Sequence, residues 1–272
     1  MRGIDMGEKT AQEKFDRIHE MLRGKRVIVA YSGGVDSTVL AHVSRGVAAE
    51  TLLLTVDMQT VPQFEIDEAV DLAGRLGIEH KVVRFDWTAD DVLSANLPDR
   101  CYHCKVSLTH LWLQVKNEEE MDLVVEGTNA SDIHGHRPGL KALKESDIRS
   151  PFLEVGIGKE DIRAYARDHD LGIAEKPPQA CLATRFPPNV EITEARLAMI
   201  EAVETKIREI SDIECVRARY HGDLVRIEIP PEQLAQFVGD PEIHRLVETA
   251  KEAGFKYVAL DLEGYRSGST SV

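Results

Sequence analysis

Two periods of apolar and polar positions alternate along this chain. Short apolar runs at residues 25–30, 51–56, 81–85 and 123–126 read as strands buried on both faces. Between them, apolar positions recur every three or four residues over 8–22, 37–47, 64–76 and 106–116, which predicts helices. Strand and helix in alternation predict an α/β chain with a doubly wound parallel sheet, whose ligands belong at the carboxyl ends of the strands. A further helix, 159–169, leads into the proline-rich stretch 176–188, which cannot hold a regular element. The expected domain boundary falls there, giving 1–188 and 189–272. The second part reads as a small α+β unit: helix 192–210, strands 214–220 and 224–229, two helical stretches and a last strand at 257–262.

Charge narrows the partners. Among 272 residues, 47 acidic side chains against 33 basic ones leave a formal net charge of −14, which opposes binding to a nucleic-acid backbone. A nucleic-acid substrate is therefore disfavoured, although a local basic patch is compatible with this charge. Residues 1–23 are polar and amphipathic, and no window approaches a membrane span, so a cytoplasmic protein with no membrane partner is expected. Four cysteines in a chain of this length are too few for a disulfide framework and read better as ligands, nucleophiles or core filler.

Residues 25–37, KRVIVAYSGGVDS, carry the sharpest signal. A strand through Val27, Ile28 and Val29 stops at a loop of Ser32, Gly33, Gly34, Val35, Asp36 and Ser37, and a helix follows. Backbone N–H groups from Gly33 to Ser37, with the Ser32 and Ser37 hydroxyls, are placed to converge on an anion at the helix N-terminus. The alternative is an ordinary strand–turn–helix junction. No Gly-Lys-Ser/Thr follows, so the cation of a Walker loop is missing. Asp36 in its place would repel phosphate unless a divalent metal such as Mg²⁺ lies between them. The loop resembles the SGGxDS pyrophosphate loop (PP-loop) of the ATP-pyrophosphatases, which implies ATP cleavage to AMP and pyrophosphate.

A second signal is the spacing Cys101-Tyr-His-Cys104 with Cys181 in KPPQACLATR. A C-x-x-C turn sets two sulfurs on one side, as zinc and iron–sulfur sites require, and Cys181 lies on an irregular loop. A chance pair or half a zinc site is the alternative, although neither His103 nor the pair His134 and His136 offers an obvious fourth ligand. Three cysteines on a [4Fe-4S] cluster would leave one iron open to sulfide. Cys215, inside an apolar run, reads as a small buried hydrophobe.

Taken whole, the chain resembles the LarE-type ATP-dependent sulfur transferases. The likeness rests on SGGVDS (32–37), RCYHCK (100–105), EGTNASD (126–132) with RPG (137–139), ACLATRFP (180–187), VRARYHGDLVRIE (216–228) and GYRSGS (264–269). It implies a PP-loop fold of the adenine-nucleotide alpha-hydrolase type with a smaller C-terminal α+β domain. It also implies ATP and Mg²⁺ as cofactors and a nucleotide substrate, pyridinium-3,5-biscarboxylic acid mononucleotide, converted to thiocarboxylates for the nickel-pincer cofactor of lactate racemase. Members with three cysteines are thought to hold a [4Fe-4S] cluster, here on Cys101, Cys104 and Cys181, fed by a sulfide source. Members with only the equivalent of Cys181 surrender its sulfur and are left with dehydroalanine.

Within that frame Asp36 shares Mg²⁺ with the phosphates, and adenine lies beside the strand end at Met58. Gly127, Thr128, Asn129 and Asp132 either bind ribose, α-phosphate or metal, or cap a turn. Arg185 either orients the acyl phosphate or anchors the Cys181 loop. Arg217 and Arg219, two apart on one strand face, with Arg266 and Ser267, either bind the substrate phosphate or pair with nearby carboxylates. Glu126 is a strand-end carboxylate without an assigned role, and assembly through the C-terminal unit as a homo-oligomer is expected. Rival readings are a tRNA thiolase, which the charge disfavours, an amidating ligase, which needs no clustered thiols, and a non-catalytic nucleotide or iron–sulfur module.

Overall fold

The computed structural model describes residues 10–133, 139–177 and 180–266. Its elements in chain order are α1 (Ala11–Leu22), β1 (Arg26–Ala30), α2 (Val35–Val47), β2 (Glu50–Asp57), α3 (Gln63–Leu76), β3 (Glu79–Arg84), α4 (Asp91–Ser94), α5 (Arg100–Glu118) and β4 (Leu123–Val125). There follow α6 (Gly139–Lys144), α7 (Pro151–Val155), α8 (Lys159–Asp168), α9 (Glu194–Ile210), β5 (Arg217–His221), β6 (Leu224–Glu228), α10 (Leu234–Val238), α11 (Ile243–Glu252) and β7 (Tyr257–Leu260). Contacts divide the chain into two compact units, one of residues 1–57, 63–85 and 101–176, the other of 58–62, 86–100 and 177–272.

The first unit is built on a parallel sheet of order β3-β2-β1-β4. Val27, Ile28 and Val29 of β1 are fully buried because both neighbours pair with it, Val27 opposite Thr51 of β2 and Leu123 of β4. Phe15, Ile18 and Leu22, at helical spacing on α1, join the same core. Thr10 starts that helix with a capping box, its hydroxyl accepting from Glu13 N while the Glu13 carboxylate accepts from Thr10 N. Since β1 feeds outward to β2 and β3 while β4 lies on its other side, the strand order reverses between β1 and β4. Ligand crevices form at such a switch point.

The second unit holds a mixed sheet of order β5-β6-β7, β5 antiparallel and β7 parallel to β6. Helix α9 begins where the Thr193 hydroxyl accepts from Arg196 N and packs against β5 and α11. The expected elements differ from the observed ones mainly at their ends, and the short helices α4, α6 and α7 are not among those expected. Helix α2 starts two residues early, because extended Gly34 serves as its N-cap. Helix α5 starts six residues early and absorbs the C-x-x-C segment, which is therefore a helical turn and not a loop. An unforeseen parallel bridge, Val125 to Arg149, continues the sheet beyond β4. Among the described residues, no helix is long and apolar enough to cross a membrane.

Candidate active site

The turn after β1 and the first turn of α2 meet the loop after β4 at the switch point. Gly33 adopts φ +67°, a region closed to most side chains, and a Cβ there would stand 3.0 Å from both Cα and Cβ of Ala69 on α3. The serines fold the loop on itself: Ser37 Oγ donates to the Gly34 carbonyl at 3.2 Å and accepts from Ser32 N at 3.3 Å. With Gly34 as a cap that carries no side-chain acceptor, the N–H groups of Val35, Asp36 and Ser37 open α2 without intrahelical partners. Opposite, Gly127 lies so close that a Cβ would stand 3.2 Å from the backbone carbon and Cβ of Asp36 and from Ser37 N.

The loop after β4 is clamped by Glu126. This buried carboxylate accepts from Thr128 N at 3.2 Å, from Thr128 Oγ1 at 2.7 Å and from Ser150 Oγ. Thr128 therefore directs its hydroxyl at Glu126. Asn129 and Asp132 do cap the following 3₁₀ turn, Ala130–Ile133: Asn129 Oδ1 accepts from Ser131 N and Asp132 accepts from Asn129 N. The capping leaves Asn129 Nδ2 buried beside the Asp36 carboxylate but outside ordinary hydrogen-bond geometry, and the buried Asp36 Oδ1 is likewise without a hydrogen bond. Burial first, and then the charge of Asp132, push the Asp36 carboxyl up, against the pull of Lys159, Arg163 and the Asn129 amide. A carboxylate with a buried unpartnered oxygen, a second carboxylate near it and orphan N–H groups suits a divalent cation bridging to phosphate.

Sequence reasoning missed Lys159, Arg163 and Lys176. Lys176 Nζ donates to the Gly33 carbonyl across 143 positions of chain, a contact no local pattern announces. Met58 follows β2 by one residue and is half-buried.

The remaining predicted residues are placed as follows. Cys101 is exposed and Cys104 half-buried, one turn apart at the start of α5 in the first unit; exposed Cys181 lies in the second unit at the head of the 3₁₀ turn Leu182–Arg185. Among the described residues no group of three or more His, Cys, Asp or Glu gathers as a metal site. Cys215 is half-buried, less enclosed than expected. His134, His136, Arg137 and Ser267 lie outside the described residues.

Within the second unit, arginines fasten the Cys181 turn. Arg185 is 2% exposed and forms a two-pronged pair with Glu204, at 2.7 and 3.2 Å, the geometry of a loop anchor. Burial pushes the Glu204 carboxyl up, but Arg185, the Ala218 N–H and Arg208 outweigh it and hold the group below the usual range. Arg219 donates to the Glu228 carboxylate and to the Thr184 carbonyl, and Arg100 donates to that of Ala183. Arg217 is buried over the ring of Tyr265, where burial and nearby Arg185 lower its pKa. Both strand arginines thus share one face, as their spacing required, and that face is turned inward. Arg266 is exposed and paired with Glu263 at 2.6 Å.

Comparison with known proteins places these features. Residues 26–109, from β1 into α5, match the family model described as queuosine biosynthesis protein QueC. An uncharacterized protein of Synechocystis sp. is 38% identical over 89% of this chain and 91% of its own length. One of Methanocaldococcus jannaschii is 33% identical over 93% and 95%. The pyridinium-3,5-bisthiocarboxylic acid mononucleotide synthase of Lactiplantibacillus plantarum is 32% identical over 90% of this chain and 88% of that enzyme. A match of that extent runs through the loop after β1, the loop after β4 and the arginine-fastened turn alike, and the chain belongs to the family of that synthase, the LarE type.

Proposed function

We propose that this protein uses ATP to adenylate the carboxylates of pyridinium-3,5-biscarboxylic acid mononucleotide and then replaces the activated oxygen with sulfur, a step in nickel-pincer cofactor synthesis. The observation that carries the reading is the buried, unpartnered Asp36 oxygen set in the first turn of α2, beside orphan N–H groups. In the first step a substrate carboxylate oxygen attacks the α-phosphorus of ATP, the bond to the bridging oxygen breaks, and pyrophosphate leaves. In the second, a sulfur nucleophile attacks the acyl carbon of the mixed anhydride and AMP leaves with the bonding pair. A free carboxylate would not accept sulfur; its adenylate does, because AMP is a stabilised leaving group.

The chain's own groups bind and orient. N–H groups of Val35, Asp36 and Ser37 are placed for the β- and γ-phosphates, and Asp36, with Asp132 near it, would hold Mg²⁺, which would supply charge neutralisation for pyrophosphate. Gly127 brings the second loop against α2. Residues 1–188 carry this chemistry in our reading, and 189–272 receive the substrate; to take its phosphate, Arg217 and Arg219 would have to leave the buried contacts they make here, and exposed Arg266 its pair with Glu263. Cys101, Cys104 and Cys181 would be the donor set of a [4Fe-4S] cluster, which would supply sulfide as the sulfur nucleophile. Three thiolates suit a four-iron cluster with one open iron, and both Cys101 and Cys181 are exposed. The second reading, sacrifice of the Cys181 sulfur, draws on the same exposed thiol.

The test is pyrophosphate release from ATP. It should require the pyridinium dicarboxylate nucleotide, fail with tRNA or ammonia as co-substrate, and vanish in Asp36→Ala. Release driven by tRNA, or none with the dicarboxylate, would overturn the reading. Iron content after anaerobic reconstitution, lost in Cys101→Ala, supports the cluster; conversion of Cys181 to dehydroalanine, read by mass, supports sacrifice.

A further inference from the structure

A cation reaches the phosphate loop from far along the chain, and a carboxylate holds it there. Lys176 Nζ donates to the Gly33 carbonyl at 3.0 Å and lies 2.9 Å from the Glu68 carboxylate on α3. The lysine side chain is 20% exposed and that of Glu68 is 52% exposed. Glu68 adjoins Ala69, the residue against which Gly33 is wedged, so carbonyl, carboxylate and ammonium share one small space. The lysine backbone is secured separately: Arg163 of α8 donates to the carbonyls of Ala174 and Lys176. Its backbone is thereby held, while the ammonium keeps the freedom of a four-carbon stem.

The loop from Ser32 to Ser37 has no lysine of its own, whereas a leaving pyrophosphate needs positive charge. We propose that Lys176 supplies that missing cation to the β- and γ-phosphates, and that Glu68 holds it in reserve until phosphate takes the carboxylate's place. The inference rests on the ATP reading above. An ammonium has three donors, so Lys176 keeps its bond to Gly33 while exchanging Glu68 for a phosphate oxygen. The exchange favours phosphate because a half-exposed carboxylate holds an ammonium weakly, and a phosphate at the mouth of α2 carries more charge.

Two substitutions then act with opposite signs. Lys176→Gln loses a charge-assisted bond and should weaken inorganic pyrophosphate and ATP by about tenfold or more, with Lys176→Arg in part restoring them. Glu68→Gln releases the lysine and should tighten pyrophosphate by about two- to fivefold at low salt. The gain should disappear when Glu68→Gln is placed in the Lys176→Gln background, the mark of a shared interaction. Calorimetric titration of the full chain with pyrophosphate, ATP and adenosine reads all three, and adenosine, which lacks phosphate, should bind every variant alike. Wild-type binding of ATP with Glu68→Gln unchanged or weakened overturns this inference alone. A wild type that binds neither ATP nor pyrophosphate overturns the ATP reading and this inference with it.

Discussion

At the scale of single residues, opposed influences act on Asp36. A carboxylate in the first turn of a helix is ordinarily favoured by the helix dipole, as Glu13 is in α1. At Asp36, burial and Asp132 win instead, and the carboxyl is pushed above its ordinary 3.8. An acid that holds its proton more tightly folded than unfolded lowers stability as pH rises from 3.8 through its folded pKa, so a penalty absent in acid is present above the ordinary carboxyl range. A metal ion removes that penalty; so does Asn. Asp36→Asn should therefore raise the thermal midpoint of the ligand-free protein by about 1–3 °C at pH 7, and lose that gain below the ordinary carboxyl range. The same variant should forfeit the extra stability that Mg²⁺ and ATP confer on the wild type. A lower midpoint in the ligand-free variant would show that the carboxylate is satisfied within the chain and needs no cation.

At the scale of elements, the approach of α2 to the loops around it makes two glycines irreplaceable and leaves a third idle. Gly33→Ala meets both a positive φ and the Ala69 backbone, and should destabilise the protein by about 1–3 kcal/mol. Gly127→Ala drives its methyl into the backbone of Asp36 and Ser37, and should weaken ATP more than it lowers stability, because the loop after β4 must withdraw from the phosphate mouth. Gly46, near the end of the same helix with nothing within 4 Å of its would-be Cβ, should gain up to about 1 kcal/mol on replacement by Ala. Urea unfolding and nucleotide titration separate the three; equal effects at Gly127 and Gly46 would deny that the loops meet.

The contrast also shows what could be read beforehand. The four strands of the first sheet and the helices on either side of β1 and β2 follow from hydrophobic period, and the glycines and serines of SGGVDS announce the turn that joins β1 to α2. The start of α5 escaped notice because a polar first turn, Arg100 to Lys105, carries no apolar period. Lys176 and the pairing of Arg185 with Glu204 escaped because contacts between distant segments leave no local trace.

At the scale of the molecule, the two compact units interleave along the chain, and this governs where it can be cut. The second unit gathers residues 58–62 and 86–100 around 177–272. Asn96 donates to the carbonyls of Pro187 and Val190, Ile192 N to that of Ser94, and Leu182 N to that of Thr60. Glu204 is 1% exposed and relies on Arg185; Tyr220 packs its ring 5.1 Å from that of Phe186. A fragment of residues 189–272 keeps α9 and the β5-β6-β7 sheet but loses Arg185, Phe186 and the Thr184 carbonyl that Arg219 grips. Removing one partner of a buried ion pair costs about 3–5 kcal/mol, against a total stability of about 5–15 kcal/mol for a domain. With part of its apolar core gone as well, the fragment should be unfolded at neutral pH, with collapsed amide dispersion in its NMR spectrum. A start at 177 restores the arginine, the phenylalanine and the turn, and should recover dispersion in part, since Trp87 and Asn96 are still missing. A well-dispersed spectrum from 189–272 would mean that the sheet and α9 hold themselves together, and that the arginine-fastened turn rests on a domain already complete without it.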